Sequence, residues 1–285
     1  MDQPAPRDPR RRTFAHGEFD AADLAAAKAG RTVSVCIPAR NEAATIGAIV
    51  GVIVSELTAV GGAVPLVDEV VVVDDGSTDD TGTIAARAGA RVITGETASG
   101  GKGQAMRVAL REAEGDLLAF IDGDVTNFGS HFVTGLLGPL LVDDTTAVVK
   151  GFYQRPLRGE ADGGGRVTEL MARPVIDLLF PSLAAVRQPL AGETAGPRWV
   201  FEKCTLADGY AVELALLIDV ATLLGVEAIA QVDLGTRVHR NRPLSELRPQ
   251  ATDILAAALA RSPLVSSDGP GRTSPPPTPP WPTVP

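Results

Sequence analysis

Cysteine is nearly absent: the 285 residues hold two, Cys36 inside an apolar run and Cys204 far from it. Such a pair has neither the spacing of a disulfide framework nor that of a zinc site, so reduced core residues and a cytoplasmic protein are expected. Long apolar runs are missing as well. No stretch approaches the roughly 20 residues that span a bilayer, and charges interrupt the first apolar segment, which leaves no secretory signal pattern. Nor is positive charge in excess. A formal net charge of -9 argues against a general nucleic-acid or anionic-membrane surface. The run Ser99-Gly100-Gly101-Lys102-Gly103-Gln104 lacks the full Gly-x-x-x-x-Gly-Lys-Ser/Thr spacing, which excludes a P-loop, and no basic triphosphate loop stands elsewhere.

What is present is a hydrophobic content of 45%, enough for a large core in one extended α/β domain. The run from Leu117 to Asp124 is short enough for a buried strand and ends in two acids separated by one glycine. Residues two apart in an extended segment project the same way, so Asp122 and Asp124 can offer two hard oxygen ligands to a divalent cation holding a diphosphate. An acidic strand-to-loop turn is the alternative. Upstream, a strand at Thr32 to Ile37 runs into Pro38-Ala39-Arg40-Asn41-Glu42 and a long apolar helix pattern. This order brings free backbone N–H groups and a helix dipole to the strand end, although Glu42 serves equally as a first-turn acid. A second strand, Glu69 to Val73, ends at Asp74-Asp75-Gly76-Ser77-Thr78-Asp79, where Ser77 or Thr78 can cap the next helix. A carboxylate there can accept from a uracil imide or a ribose hydroxyl. Lys102, flanked by glycines at a helix start, can reach a nucleotide or stand exposed.

Strands and helices thus alternate as βαβαβαβ, with polar signals at the strand ends. That pattern predicts a parallel, doubly wound sheet with a ligand crevice outside those ends. Further on, the glycines at 163 to 165 before Arg166 and Thr168 can form an anion-binding nest, or a linker followed by a helix N-cap. A helix from Tyr210 to Leu224 turns Val212, Leu216, Val220 and Leu223 to one core face, with Glu213 at its start. In a strand from about Ala228 to Val238, Gln231, Asp233, Arg237 and His239 alternate with apolar residues and form a polar face. The N-terminal segment, with Arg10, Arg11 and Arg12 in succession, reads as a solvated arm with a short helix around Ala21 to Ala27. The Pro-rich segment at 274 to 282 reads as polyproline II or disorder.

The motifs Pro38-Ala39-Arg40-Asn41-Glu42, Asp74-Asp75-Gly76-Ser77-Thr78-Asp79 and Asp122-Gly123-Asp124 together resemble GT-A glycosyltransferases that use nucleoside-diphosphate sugars. Gly163 to Leu170, Gly209-Tyr210-Ala211-Val212-Glu213, and Gln231 to Gly235 running on to His239-Arg240-Asn241-Arg242-Pro243 narrow the resemblance to the glucosyl-3-phosphoglycerate synthases of glycosyltransferase family 81. It covers about residues 33 to 255. It implies an α/β GT-A fold, a doubly wound, mostly parallel sheet with a C-terminal acceptor-binding subdomain. The expected layout is an arm at 1–31, a nucleotide-sugar half at 32–150, an acceptor half at 151–261 and a disordered tail at 262–285.

The resemblance also implies roles. Pro38, Ala39, Asn41, Glu42, Asp75 and Lys102 hold the uridine part, and Asp122 contacts the nucleotide. Asp124 and His239 ligate Mg2+ or Mn2+. Glu213 binds the glucose hydroxyls, while Gly165, Arg166, Thr168 and Asn241 grip 3-phosphoglycerate. Arg242 neutralises diphosphate charge and joins Asp124 and Glu213 in the catalytic set. A retaining transfer from UDP-glucose and a homodimer follow from the same resemblance. The rival readings are another donor such as GDP-mannose, another small acceptor, or a protein that binds nucleotide sugar without turnover. The chain departs from the family pattern at Arg40, where leucine is usual, and at Ala191-Gly192-Glu193-Thr194, where Gly-Gly-Glu-Tyr is usual.

Overall fold

Strand alternation builds two apolar layers. Val33, Val35 and Ile37 face one layer and Cys36 the other; Val70 and Val72 oppose Val71 and Val73, and Leu117 and Ala119 oppose Leu118 and Phe120. Both faces of these strands are therefore buried, as a central parallel sheet requires. The structure is a computed structural model that describes residues 12–60, 64–94, 101–155, 165–238 and 244–262.

The strands are β1 (Thr13–Ala15), β2 (Val33–Ala39), β3 (Glu69–Asp74), β4 (Arg91–Thr94), β5 (Leu117–Phe120), β6 (Val148–Gln154), β7 (Thr194–Pro197) and β8 (Ile229–Thr236). They form one sheet in the order β1-β8-β6-β7-β5-β2-β3-β4. All pairings are parallel except those of β7, which runs antiparallel between β5 and β6. The helices are α1 (Ala21–Ala27), α2 (Ile46–Leu57), α3 (Thr81–Arg87), α4 (Gly101–Glu112), α5 (His131–Val142), α6 (Arg173–Leu179), α7 (Arg198–Lys203), α8 (Val212–Leu224) and α9 (Leu244–Arg261). Helices α1, α2 and α5 pack on one face, and α4, α7 and α8 on the other. The expected mostly parallel α/β sheet is present, and β2, β3 and β5 bring their carboxyl ends to one edge.

Four expectations need correction. Residues from 12 onward are not a solvated arm: β1 pairs with β8 through Phe14 and Val232, and Phe14, Phe19 and Leu24 are buried. Burial of these apolar side chains outweighs the basic composition just before them. The helix at Ala21–Ala27 is present, capped by Asp20, whose Oδ1 accepts from Ala22 N at 2.8 Å. Helix α8 has no single core face. Its residues from Val212 to Ile218 are all buried, because the sheet lies on one side and α9 on another, whereas Leu223 is exposed. The polar alternation of the last strand stops at Gly235, whose φ of +80° breaks the pleat. Arg237 beyond it turns inward and is only 5% exposed. Finally, neither Ser77 nor Thr78 caps α3; both are used between loops, as described below. The Pro-rich tail from 263 onward lies outside the described residues.

Candidate active site

At the carboxyl edge of the sheet, two loops are sewn together. Asn41 adopts φ +57°, a conformation asparagine tolerates better than most residues. Its backbone N–H donates to Ser77 Oγ at 2.9 Å, and its side-chain Oδ1 accepts from Thr78 N at 2.8 Å. Glu42 N donates to Thr81 Oγ1 at 2.8 Å and Ala43 N to Asp79 Oδ2 at 3.2 Å. The backbone donors expected to be free for an anion are thus occupied within the protein. Asp74 is also consumed, accepting from Ser77 N at 2.8 Å. Asp75 differs. It is 6% exposed, and its Oδ1 has no hydrogen-bond partner. A buried, unsatisfied carboxylate oxygen is costly and fits a donor supplied by a ligand.

These loops form one wall of a cavity of about 550 Å³, within the usual range for small-molecule sites. Pro38, Ala39, Asn41, Glu42, Asp75, Lys102, Asp122, Asp124, Gly165, Arg166, Thr168 and Glu213 all line it. The structure therefore brings together every described residue named from the sequence, although those residues are spread over 176 positions, from 38 to 213. His239, Asn241 and Arg242 lie outside the described residues. Arg155, Arg237 and, from α9, Leu247, Gln250 and Ile254 also line the cavity.

Its floor is a chain of alternating charges. Asp122 and Asp124 follow β5 in a turn rather than continuing the strand, yet their carboxylates still converge. Arg237 Nη2 stands 2.9 Å from Asp122 Oδ2 as an ion pair and donates to Asp124 Oδ1 at 2.5 Å. Lys102 Nζ pairs with Asp122 and stands 2.8 Å from Glu213 Oε1. Lys150 Nζ bonds to Glu213 Oε2 at 2.5 Å. Arg237 also faces Glu193 Oε1 at 3.3 Å, and Tyr153 Oη donates to Glu193 Oε2 at 2.8 Å.

Burial acts to raise the Asp122 and Glu213 carboxyls, but Lys102 leads the cations that outweigh it and hold both below their ordinary values. Lys102 is correspondingly held above the usual lysine value: burial works against its charge, and Asp122 and Glu213 overcome that. Glu193 is the exception. Burial lifts its carboxyl above the usual range despite Arg237.

Arg237, Lys150, Glu193 and Tyr153 were not assigned roles from the sequence. Lys150 carried the clearest signal, a lysine inside the apolar strand Val148–Gln154. Glu193 follows Gly192, where a side chain would collide with Asp122. Of the departures from the family pattern, Arg40 lines the cavity, Ala191 is fully buried and Thr194 accepts from Lys150 at 2.8 Å.

A family model described as Glycosyl transferase family 2 matches residues 34–173. The glucosyl-3-phosphoglycerate synthase of Mycolicibacterium smegmatis is 48% identical over 262 residues, covering 88% of this chain and 84% of that protein. The chain belongs to the glucosyl-3-phosphoglycerate synthase family. Two crystal structures of the family's member from Mycobacterium tuberculosis agree with the fold. One, in complex with Mn2+, UDP-glucose and phosphoglyceric acid, has a TM-score of 0.76 at 46% identity and covers 85% of this chain and 84% of that one. The other, in complex with Mg2+ and UDP, has a TM-score of 0.79 at 44% identity and covers 88% and 86%.

Among the described residues, no group of three or more His, Cys, Asp or Glu side chains is arranged to hold a metal ion. A divalent cation nevertheless fits beside Asp124. Its carboxylate lines the cavity and is 29% exposed, and Mg2+ is commonly held by one or two carboxylates together with substrate phosphates and water.

Proposed function

We propose that this chain transfers glucose from UDP-glucose to 3-phosphoglycerate, giving glucosyl-3-phosphoglycerate and UDP. The observation that carries the reading is that one cavity gathers these residues. The unsatisfied Asp75 oxygen lies among its loop residues, the Asp122–Asp124–Arg237 cluster forms its floor, and Arg166 with Thr168 stands beside the glycine-preceded helix start. Such an arrangement suits a nucleoside, a diphosphate and a second, anionic substrate.

In this reading Asp75 accepts from the uracil imide or a ribose hydroxyl, within the wall formed by residues 38 to 42. Glu213, ionised between two lysines, accepts from glucose hydroxyls. Arg166 and Thr168 orient the acceptor's anionic groups, and the bidentate geometry of a guanidinium suits phosphate or carboxylate. Holding donor and acceptor together supplies much of the acceleration. The acceptor's free hydroxyl forms a bond to the anomeric carbon as the bond to the UDP oxygen breaks. With retention of configuration, the proton passes to the departing phosphate on the same face. When bound, a divalent cation neutralises charge growing on that phosphate; Asp124 and His239 would hold it, and Arg242 would add positive charge. Family resemblance further supports a homodimer in the cytoplasm. No helix among the described residues is long and apolar enough to cross a membrane.

The test is UDP release from UDP-glucose and Mg2+, with and without 3-phosphoglycerate. Release that depends on the acceptor is expected, with GDP-mannose a much poorer donor. Saturable UDP-glucose binding with no release under either condition would refute the transfer.

A further inference from the structure

Lys150 is the least expected charge in the fold. It stands in the middle of β6 and is 1% exposed. Its register partner across the β6–β7 pairing is Thr194, and its ammonium reaches Thr194 Oγ1 at 2.8 Å and Glu213 Oε2 at 2.5 Å. The cavity lining includes Glu213 but not Lys150. The lysine therefore acts from behind the site, through the carboxylate.

Burying a lysine in a sheet is costly unless its charge and its donors are satisfied. Here two of three donors have partners, and one of them is a residue that faces the cavity. The two oxygens of Glu213 are treated differently. Lys150 pins Oε2, whereas Oε1 accepts no hydrogen bond and faces Lys102 at 2.8 Å. Lys102 is shared with Asp122. Without Lys150, Glu213 would depend on that shared cation alone, and Oε2 would lose the contact that fixes the plane of its carboxylate.

We infer that Lys150, anchored by Thr194, is a positioning residue that fixes the Glu213 carboxylate as an ionised acceptor for the hydroxyls of the donor's sugar. This rests on the reading of Glu213 as the sugar-binding group. The consequence is selective. Lys150 supports recognition of the hexose and contributes little to recognition of the nucleotide.

The experiment compares wild type, Lys150→Met, Thr194→Val, Glu213→Gln and the Lys150→Met/Glu213→Gln double variant. UDP-glucose kcat/KM and the separate Kd values of UDP-glucose and UDP are measured for each. Lys150→Met should lower kcat/KM by about 30-fold or more, in line with loss of orientation at a reacting group, and leave the Kd for UDP within twofold. Thr194→Val should do the same by roughly 3- to 10-fold, the range of one hydrogen bond. In the Glu213→Gln background, Lys150→Met should add less than about threefold, because the group it positions is already altered.

Equal weakening of UDP and UDP-glucose, or full additivity with Glu213→Gln, would overturn the inference. Should Lys150→Met fail to fold, Thr194→Val decides: a selective loss on UDP-glucose supports the inference, and an equal loss or none overturns it. Should wild type bind UDP-glucose but release no UDP, the proposed transfer fails on its own, and the same selectivity is read from the two Kd values.

Discussion

Gly192→Ala adds one methyl group at the point where β7's approach passes Asp122. That carbon would stand 2.1 and 2.2 Å from the two carboxylate oxygens of Asp122. Ordinary contact between non-bonded heavy atoms is about 3.5 Å, so the carboxylate must retreat by roughly 1 Å or more. The Arg237–Asp122 contact, 2.9 Å in the wild type, would then exceed the usual hydrogen-bond limit of about 3.2 Å. The Lys102 pair would be disturbed in the same movement. A misplacement of about 1 Å at such a site costs on the order of 100-fold in rate. Overpacking adds about 1–3 kcal/mol of destabilisation, or roughly 2–10 °C in Tm. UDP-release kinetics and thermal unfolding measure the two effects. Gly51→Ala is the control: Gly51 lies in α2 with nothing within 4 Å of an added Cβ, so it should gain about 0.4–1 kcal/mol with unchanged kinetics. A Gly192→Ala enzyme with kcat/KM within threefold of wild type would refute the arrangement around Asp122.

Asp124→Ala should reduce metal-dependent turnover by more than the roughly 10- to 100-fold that outer-shell changes cost at metal sites, while the melting temperature stays close to wild type; a metal titration of kcat checks it, and an unchanged titration would remove Asp124 from the metal site. Acid should destabilise the fold below about pH 4, the ordinary carboxyl range. The sign follows from Asp122 and Glu213, which sit below their ordinary values in the fold. The unfolded chain takes up their protons first, so their contribution is present above that range and is lost as pH falls through the folded values. Glu193, raised by burial, works in the opposite sense at higher pH, and a Tm flat from pH 5 to 3 would contradict the balance. Phe19→Ala should cost about 3–5 kcal/mol in chemical denaturation with substrate KM values unchanged, because Phe19 is buried against α5 and takes no part in the cavity lining.

The strand-turn-helix units were legible because each carries its own evidence: an apolar run, a polar turn, and a helix pattern. Leu117–Phe120 followed by Asp122 and Asp124 was therefore identified from local pattern alone. What escaped was non-local. Arg237 looked like a member of a polar strand face, and only the break at Gly235 and the closeness of β8's end to the Asp122 turn give it its partners. Phe14 and Phe19 looked like parts of an arm because no local rule pairs Thr13–Ala15 with a strand more than 200 residues later in the chain. Local pattern does not separate Asp74 from Asp75, and the family resemblance alone singles out Asp75; the physical distinction is that Ser77 N donates to Asp74 while Asp75 Oδ1 has no donor. Lys150 interrupts the apolar run of β6, yet nothing local points to its partner Glu213, 63 residues away.

The central claim, that one cavity joins a UDP-linked hexose to a phosphorylated acid, is tested most directly by the mass of the product. Enzyme, Mg2+, 3-phosphoglycerate and UDP-glucose with a uniformly 13C-labelled hexose should give a hexosyl-phosphoglycerate carrying the whole label, in amounts equal to the UDP released. Labelled free glucose with unmodified 3-phosphoglycerate would contradict it.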